Sequence, residues 1–483
     1  MTMHTFRLPH RSDISSWRRL ASAAVIAVAS LASAGACAQA QAQEDPPGRV
    51  GRVADVAGNV RTINAEGAWV DVAINEPFTT GDRITTDKTA RATLQIGSTV
   101  FRLGADSDVT LTQLDDQHMR LRFDRGQLEV RVRSNDIPGE LFVDTEEGAW
   151  VPHHQGQYRF DRAATGQVLA AQAISGDMLL EAPDSSLPLV APQRAEVWHT
   201  GAKQATHYKL SPAGKDAFGD AVLAADKQDD AQAAANAKAQ VPPEMTGAAD
   251  LARFGAWSDG AGGAPLWTPA KLPAGWQPFQ QGAWWWSARW GWTWVDDQPW
   301  GFAPSHYGRW LQAKGRWAWT PGQWGAVRPV YAPATVGWFG GPTLSVDGAP
   351  AAGWVALAPD ELLFPGYGVS PKYWNALNDA SVGPTGRRAV AVAGRARLVP
   401  AGALAYANRA VAGAESVVAT SSLLPQVPVS QMTAVRGAAL RKPAFVEALG
   451  KATLQGPPPQ PAGRGALAAG LAVVQVPVAA AKR

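Results

Sequence analysis

Polar and apolar residues alternate with a period of two through much of the first half of the chain. Ala90, Ala92, Leu94 and Ile96 interleave with Arg91, Thr93 and Gln95. Met119, Leu121 and Phe123 interleave with Arg120, Arg122 and Asp124. Leu128, Val130 and Val132 do the same with Glu129, Arg131 and Arg133. Successive side chains of an extended chain point to opposite faces, so each stretch predicts a strand with one buried face and one wet face. Turn signals punctuate them at Gly58–Asn59, Gly81–Asp82, Gly97–Ser98, Gly104–Ala105, Arg125–Gly126, Pro138–Gly139 and Ser175–Gly176–Asp177. Turns recurring every eight to twelve residues or so predict an all-β roll or sandwich over residues 49–198.

The alternation returns farther on with different residues. Fourteen of the 21 tryptophans fall between Trp257 and Trp324. Trp284 and Trp286 lie on one face of a predicted strand, and Trp290, Trp292 and Trp294 on one face of the next. Tyr307–Leu311 and Arg316–Thr320 predict the arms of a hairpin, with Gln312–Gly315 as its turn. The strings RWGWT (289–293) and RWAWT (316–320) match closely and suggest a repeated Trp-bearing unit. Two readings of the rings stay open. In one they form the core of a second, Trp-rich all-β domain (246–377), with Arg289, Arg309 and Arg316 stacked on them. In the other some rings stand exposed as a platform for sugar or peptide. The contact set would then be Trp290, Trp292, Trp294, Trp300, His306, Tyr307, Trp310, Trp317 and Trp319.

Between the two β regions, residues 199–245 read as a helical spacer. Lys215–Gln240 is rich in Ala, Asp, Lys and Gln, and only Phe218, Val222 and Leu223 offer apolar side chains to bury. Residues 378–483, rich in Ala, Val, Pro and Gly, read as a mostly disordered tail, with a short helix at 433–450 as the alternative. The predicted fold class is therefore mainly β: roll or sandwich, Ala-rich helical spacer, second Trp-rich β domain, tail.

Residues 1–40 carry the marks of a secretory signal peptide. Arg7, Arg11, Arg18 and Arg19 precede an apolar stretch from Leu20 to about Ala36, and small-residue triplets follow. The one cysteine, Cys37, has Ala34 three positions before it, where a lipidation signal would place Leu or a similar residue. Cleavage after Ala38 or Ala40 leaves a mature chain without cysteine. No later run of about 18 apolar residues predicts a transmembrane helix. The expected location is the periplasm or outside the cell. With 44 basic and 41 acidic residues, a net charge of +3 gives no reason to expect a nucleic-acid partner.

Two resemblances add to this reading. The core Gly81–Asp82–Arg83–Ile84, Thr86, Ala92, Leu94, Gly97, Ser98, Arg102 and Leu103, with GRVADVAGNV before it and FDRGQLEVRVRS after it, is similar to the FecR-like domain. The resemblance implies a β-rich periplasmic domain. In the family's best-known members that domain relays a signal from an outer-membrane receptor to a sigma factor, through a membrane span that a cleavable signal would not provide. The strings WGWTWVDDQPWGFAPSHYGRW (290–310), GRWAWTPG (315–322), RPVYAPA (328–334) and GWVALAPDE (353–361) resemble a Trp/Tyr/Pro-rich domain of unknown function found in Gram-negative envelope proteins. This implies an envelope location and no particular activity.

Candidate chemistry is sparse. No phosphate-binding loop, dinucleotide fingerprint, nucleophile elbow or His-Glu-x-x-His motif occurs. Adjacent His153 and His154 would point to opposite faces of a strand, so no metal site is expected, and no cofactor. Asp296–Asp297 could serve a glycan hydrolase, but adjacent carboxylates in a turn seldom flank one bond. Asp82 and Asp106 read as turn residues. The expected function is a non-enzymatic envelope protein whose Trp-rich module binds an envelope protein or a cell-wall glycan. A periplasmic signalling component of FecR type and a glycan-directed hydrolase are the alternatives.

Overall fold

The computed structural model describes residues 45–63, 67–163, 165–201, 205–325, 327–340, 344–381, 406–432, 434–435, 453–454 and 458. The predicted signal segment 1–40 lies outside them, as does nearly all of the alternative helix at 433–450. The fold is mainly β. Seventeen strands between Gly51 and Pro212 form a continuous sheet that turns on its longest strand, Met119–Val132. The first half of that strand pairs with Asp108–Leu114 and Leu141–Asp144. Its second half pairs with Thr99–Leu103 and Gly156–Arg162. The two halves enclose one core, in which Phe160 meets Phe123 and Trp150 with ring centroids 6.3 and 5.9 Å apart.

The predicted alternation holds on the core side. Ala92, Leu94, Ile96, Met119, Leu121, Phe123, Leu128, Val130 and Val132 are all buried. The other face is not uniformly wet: Arg102, Glu129, Gln157 and Arg159 are buried too. The helix Ala217–Lys238 (α1) covers them.

That helix corrects the spacer prediction in two ways. Residues 205–212 are strand, not helix; they pair with Gln193–Thr200 and carry the sheet past residue 198. Thr206, Tyr208 and Leu210 alternate with polar neighbours, a period-two signal hidden by the Ala-rich stretch that follows. The helix itself is capped by Asp216, whose carboxylate accepts from the Gly219 N–H at 2.9 Å. It is not a free spacer, because its aspartates are paired with arginines of the sheet.

The Trp-rich region is built from smaller sheets and short helices. Gly282–Ser287 pairs with Gly291–Asp296, setting Trp284 opposite Trp294 and Trp286 opposite Trp292. Arg309–Ala313 pairs with Arg316–Thr320. The predicted hairpin is therefore real, but its turn is the two residues Lys314 and Gly315, with φ of 52° and 74°. Positive φ at both positions is what a tight hairpin with right-handed strand twist requires. The RWGWT and RWAWT strings fall in different sheets. Short helices at Phe302–His306 and Pro371–Asp379 make the region less purely β than predicted.

Part of the predicted tail is structured. Ser416–Ala419 pairs with Ala349–Ala356, and Ala434–Val435 pairs with Ser416–Ala419 in turn. Thr453–Leu454 pairs with Val336–Gly340. Tyr406, Val417, Val418, Leu423, Val429 and Met432 belong to the same core as the tryptophans. Read alone, this segment has too few large apolar residues for a core of its own. It packs instead into the core that the aromatics form.

Candidate functional site

The nine residues of the predicted contact set all lie inside the protein. Trp290, Trp292, Trp294, Trp300, His306, Tyr307, Trp310, Trp317 and Trp319 are each 5% exposed or less. None presents a ring face to solvent, so the exposed-platform reading is corrected and the core reading stands for these rings. They fall into interlocking groups. Trp284 touches Trp294, Trp338 and Trp354 with centroids 5.2, 4.7 and 5.4 Å apart. Trp300 touches Trp267, Trp276 and Trp310 at 5.0, 5.6 and 6.3 Å. Most contacts are edge-on or tilted, as the ring quadrupole favours.

The indole nitrogens explain why these positions are Trp rather than Phe. Trp267, Trp310 and Trp319 donate to the carbonyls of Leu251, Pro304 and Tyr307 at 2.7, 2.9 and 2.9 Å. Trp292 donates to the Pro458 carbonyl at 2.9 Å, and Trp317 to Gln277 Oε1 at 2.7 Å. Four of these rings thus fill the core and satisfy a backbone carbonyl, and Trp317 satisfies a side-chain amide. The predicted arginine stacking holds for Arg289, which lies 5.7 Å over Trp290. Arg309 is instead buried, donating to the carbonyls of Gly308 and Glu361. Arg316 donates to the Pro269 carbonyl at 3.3 Å.

Of the candidate acid–base residues, Asp296 and His306 are held in structural bonds, whereas the Asp297 side chain is exposed. Asp296 is buried; its carboxylate accepts from Trp294 Nε1 and the Gln298 N–H, both at 2.9 Å. Burial pushes its pKa up to about 7 despite those bonds. Partial desolvation also shifts the exposed Asp297 carboxyl upward. His306 donates from Nδ1 to the Ala332 carbonyl at 2.7 Å, and burial lowers its pKa to about 3, so its ring is neutral. His153 and His154 are not split across a strand as predicted. They sit at a turn, and both pair with Asp177. Among the described residues no group of three or more His, Cys, Asp or Glu is placed to hold a metal ion. Nor, among them, is any helix long and apolar enough to cross a membrane.

A dense polar network lies where the two β regions meet, at residues that sequence reasoning passed over. Arg52, on the first strand of the sandwich, is 1% exposed. It donates to Gln95 Oε1 at 2.9 Å and Asn75 Oδ1 at 3.0 Å, and pairs with Asp250 of the Trp-rich region. Asn75 donates across the junction to the carbonyls of Asp296 and Gln298 at 3.0 and 2.6 Å. Beside them, Gly97 N–H donates to Thr246 Oγ1 at 2.9 Å, and that hydroxyl donates to the Val50 carbonyl at 2.8 Å. Ser98 donates to Glu244 at 2.6 Å. Glu140 of the sandwich takes both Arg49 and Arg328, at 2.7 and 3.2 Å. These contacts span up to 223 residues of sequence, and no local pattern announces them.

Comparison with known proteins gives a family match over part of the chain. Residues 248–361 match the model of a family of unknown function (DUF6600). No curated protein matches the chain. Two crystal structures of a candidate anti-sigma factor from Parabacteroides distasonis are similar at 16% and 15% identity, each with a TM-score of 0.24 and 27% of this chain covered. The match spans 60% of the length of each of those chains. The DUF6600 match takes in the rings from Trp257 to Trp354, together with Asp250 and Asp296 of the junction.

Proposed function

We propose that the protein is exported and works by contact, as a non-enzymatic scaffold or binding protein of the cell envelope. One observation carries the reading: the bridge from Arg52 and Asn75 to Asp250, Asp296 and Gln298 is buried and makes the two β regions one continuous body. Buried, mutually satisfied polar contacts of this kind favour a fixed relative placement over a hinge. A rigid body without a hinge suits presentation of surfaces to partners. Export is supported by the basic, apolar and small-residue order of residues 1–40 and by the envelope location that both resemblances imply.

The contact surface then lies on the outside of the sheets rather than on the tryptophan rings. A glycan-directed hydrolase loses its motivation, because the rings that would grip sugar are internal and the Asp296 carboxylate is engaged by Trp294 and Gln298. Cell fractionation followed by cross-linking in living cells, with partners identified by mass spectrometry, tests the proposal. The expected result is a periplasmic or secreted chain cross-linked to envelope proteins. Recovery from the cytoplasm would overturn it.

A further inference from the structure

The outer face of the sandwich beneath α1 carries an unusual concentration of charge. Registers place Arg102 opposite Glu129 and Glu129 opposite Arg159 in one row, with Arg131 opposite Gln157 in a neighbouring row and Arg133 just beyond. The helix meets this face almost wholly with aspartates. Asp216 pairs with Arg159 through both oxygens at 2.6 Å. Asp226 pairs with Arg102, and with Arg133 at 3.1 Å. Asp229 reaches Arg102 at 2.6 Å, and Asp230 reaches Arg133 and Arg131 at 2.7 and 3.2 Å. Spacing of three and four places Asp226, Asp229 and Asp230 on one stripe of the helix.

Two features mark this as an imperfect, exchangeable seat rather than a packed core. Of the 22 helix residues only Gly219, Val222, Asp226 and Asn236 are buried, and Val222 is the one fully buried large apolar side chain. Half-buried Phe218 lies under the Arg159 guanidinium, and Asn236 donates to the Ala248 carbonyl at 2.6 Å. Three buried polar atoms in the seat, Glu129 Oε2, Arg131 Nε and Asp226 Oδ2, have no partner. A cleft of about 510 Å³, lined by Arg133 and Asp229 and walled by Ala233, Ala237 and Pro242, lies beside the C-terminal half of the helix. The outer pairs, through Asp229 and Asp230 at 38 and 45% exposure, are readily screened by salt, while the Arg102–Asp226 pair beneath them is buried. Helices retained for packing alone bury an apolar stripe instead.

We propose that this arginine face is a docking site for an acidic helix, that α1 occupies it within the chain, and that an aspartate-bearing helix of a partner protein takes its place. The partner is defined by charge: carboxylates at i, i+3 and i+4 on an otherwise small-residue helix. Arg102, Arg131, Arg133 and Arg159 would receive them, and the cleft would admit the bulkier side chains that α1 lacks.

The test uses the full chain and a fluorescently labelled peptide of residues 213–240 as probe. In the full chain carrying Asp226→Asn, Asp229→Asn and Asp230→Asn, the internal helix is disarmed. Hydrogen exchange over 217–238 should then rise at least tenfold, and the probe should bind at least tenfold more tightly than to the unmodified chain. Binding should weaken with added salt and fall again when Arg131→Gln and Arg133→Gln are introduced. Unchanged tryptophan emission and near-ultraviolet dichroism would show that the rest of the protein is folded. Unchanged exchange in the disarmed chain would overturn the exchangeable seat. A released helix with no probe binding, or equal binding of a scrambled peptide of the same charge, would overturn helix recognition.

Discussion

The side-chain amide of Asn75 donates to the backbone carbonyl of Asp296 at 3.0 Å, 221 residues away in the chain. The same amide serves the Gln298 carbonyl, and its oxygen accepts from Arg52. Asn75 also holds a φ of 64°, a left-handed conformation that Asn tolerates better than most residues. One residue therefore satisfies three polar groups and fits a backbone shape that few side chains accept. Asn75→Gly keeps the backbone and removes the bonds; it should cost roughly 2–4 kcal/mol. Asn75→Ala adds about 1 kcal/mol of strain. Urea unfolding followed by tryptophan emission checks both values. A loss below about 1 kcal/mol for the glycine variant would show that the junction does not depend on this bridge.

The buried Asp296 carboxyl should leave a mark on the pH dependence of stability. Its folded pKa of about 7 lies above the ordinary carboxylate value. Below about pH 4 both folded and unfolded chains keep the proton. From there to pH 7 the folded protein keeps a proton that the unfolded chain releases, so this group weakens the fold as pH rises, at up to roughly 1.4 kcal/mol per pH unit. Above pH 7 the effect levels off. His306 acts in the opposite sense: its pKa of about 3 means stability is lost as pH falls from about 6.5 toward 3. The melting temperature of Asp296→Asn minus that of the unmodified protein cancels the histidine term. This difference should climb from pH 4 to 7 and then stay flat. A difference that did not change with pH would mean that Asp296 ionises normally in the fold.

Much of the architecture was legible because period-two alternation is a local signal. Ala92, Leu94, Met119, Leu121 and Val130 can be assigned to the inside from their neighbours alone, and Trp284 and Trp286 likewise share a face by parity. What sequence could not settle was which tryptophans stay wet. An amphipathic ring reads the same in a core or on a platform until its N–H partner is known, and here those partners range from the nearby Pro304 carbonyl for Trp310 to the distant Pro458 carbonyl for Trp292. The junction failed for the same reason. Arg52, Asn75 and Thr246 look like ordinary strand, turn and linker residues, and their role comes from long-range assembly. The tail misled because Val417, Val418 and Met432 are judged sparse only when the aromatic core they complete is left out of view.

Segment 406–432 should be releasable at a single glycine. A Cβ added at Gly337, on the strand Val336–Gly340, would overlap the ring of Tyr406. Tyr406 is buried, and the same segment holds Asn408, whose amide donates to the carbonyls of Trp310 and Ala356 at 2.9 Å each. Gly337→Ala should displace Tyr406, raise hydrogen exchange across 406–419 and lower stability by about 2–3 kcal/mol. Tyr406→Ala should raise exchange in the same residues without the overlap. Unchanged exchange in both variants would show that the segment holds without this contact.

The placement of the rings decides how the protein meets its surroundings, and it can be read in solution. A platform of exposed indoles would be quenched by acrylamide and shielded by ligand. Rings buried at 5% or less, with N–H groups bonded to internal oxygens, should resist quenching. Trp69, at 37% exposure and with Arg83 5.4 Å over its ring, lies in the sandwich and gives an exposed signal unrelated to the nine. Trp69→Phe should therefore remove one quenchable signal, leaving the half-buried Trp198, Trp257, Trp285 and Trp286 as the remaining partly quenchable rings. Cell-wall fragments should not alter that remainder, since reaching Trp294 or Trp319 would require opening the core. Protection of the Trp69→Phe emission by cell-wall fragments would restore the platform and with it the case for a sugar-binding face. Asp297→Asn completes the comparison: release of soluble fragments from cell wall should be the same with and without it, because a carboxylate beside a closed aromatic core has no sugar ring to act on.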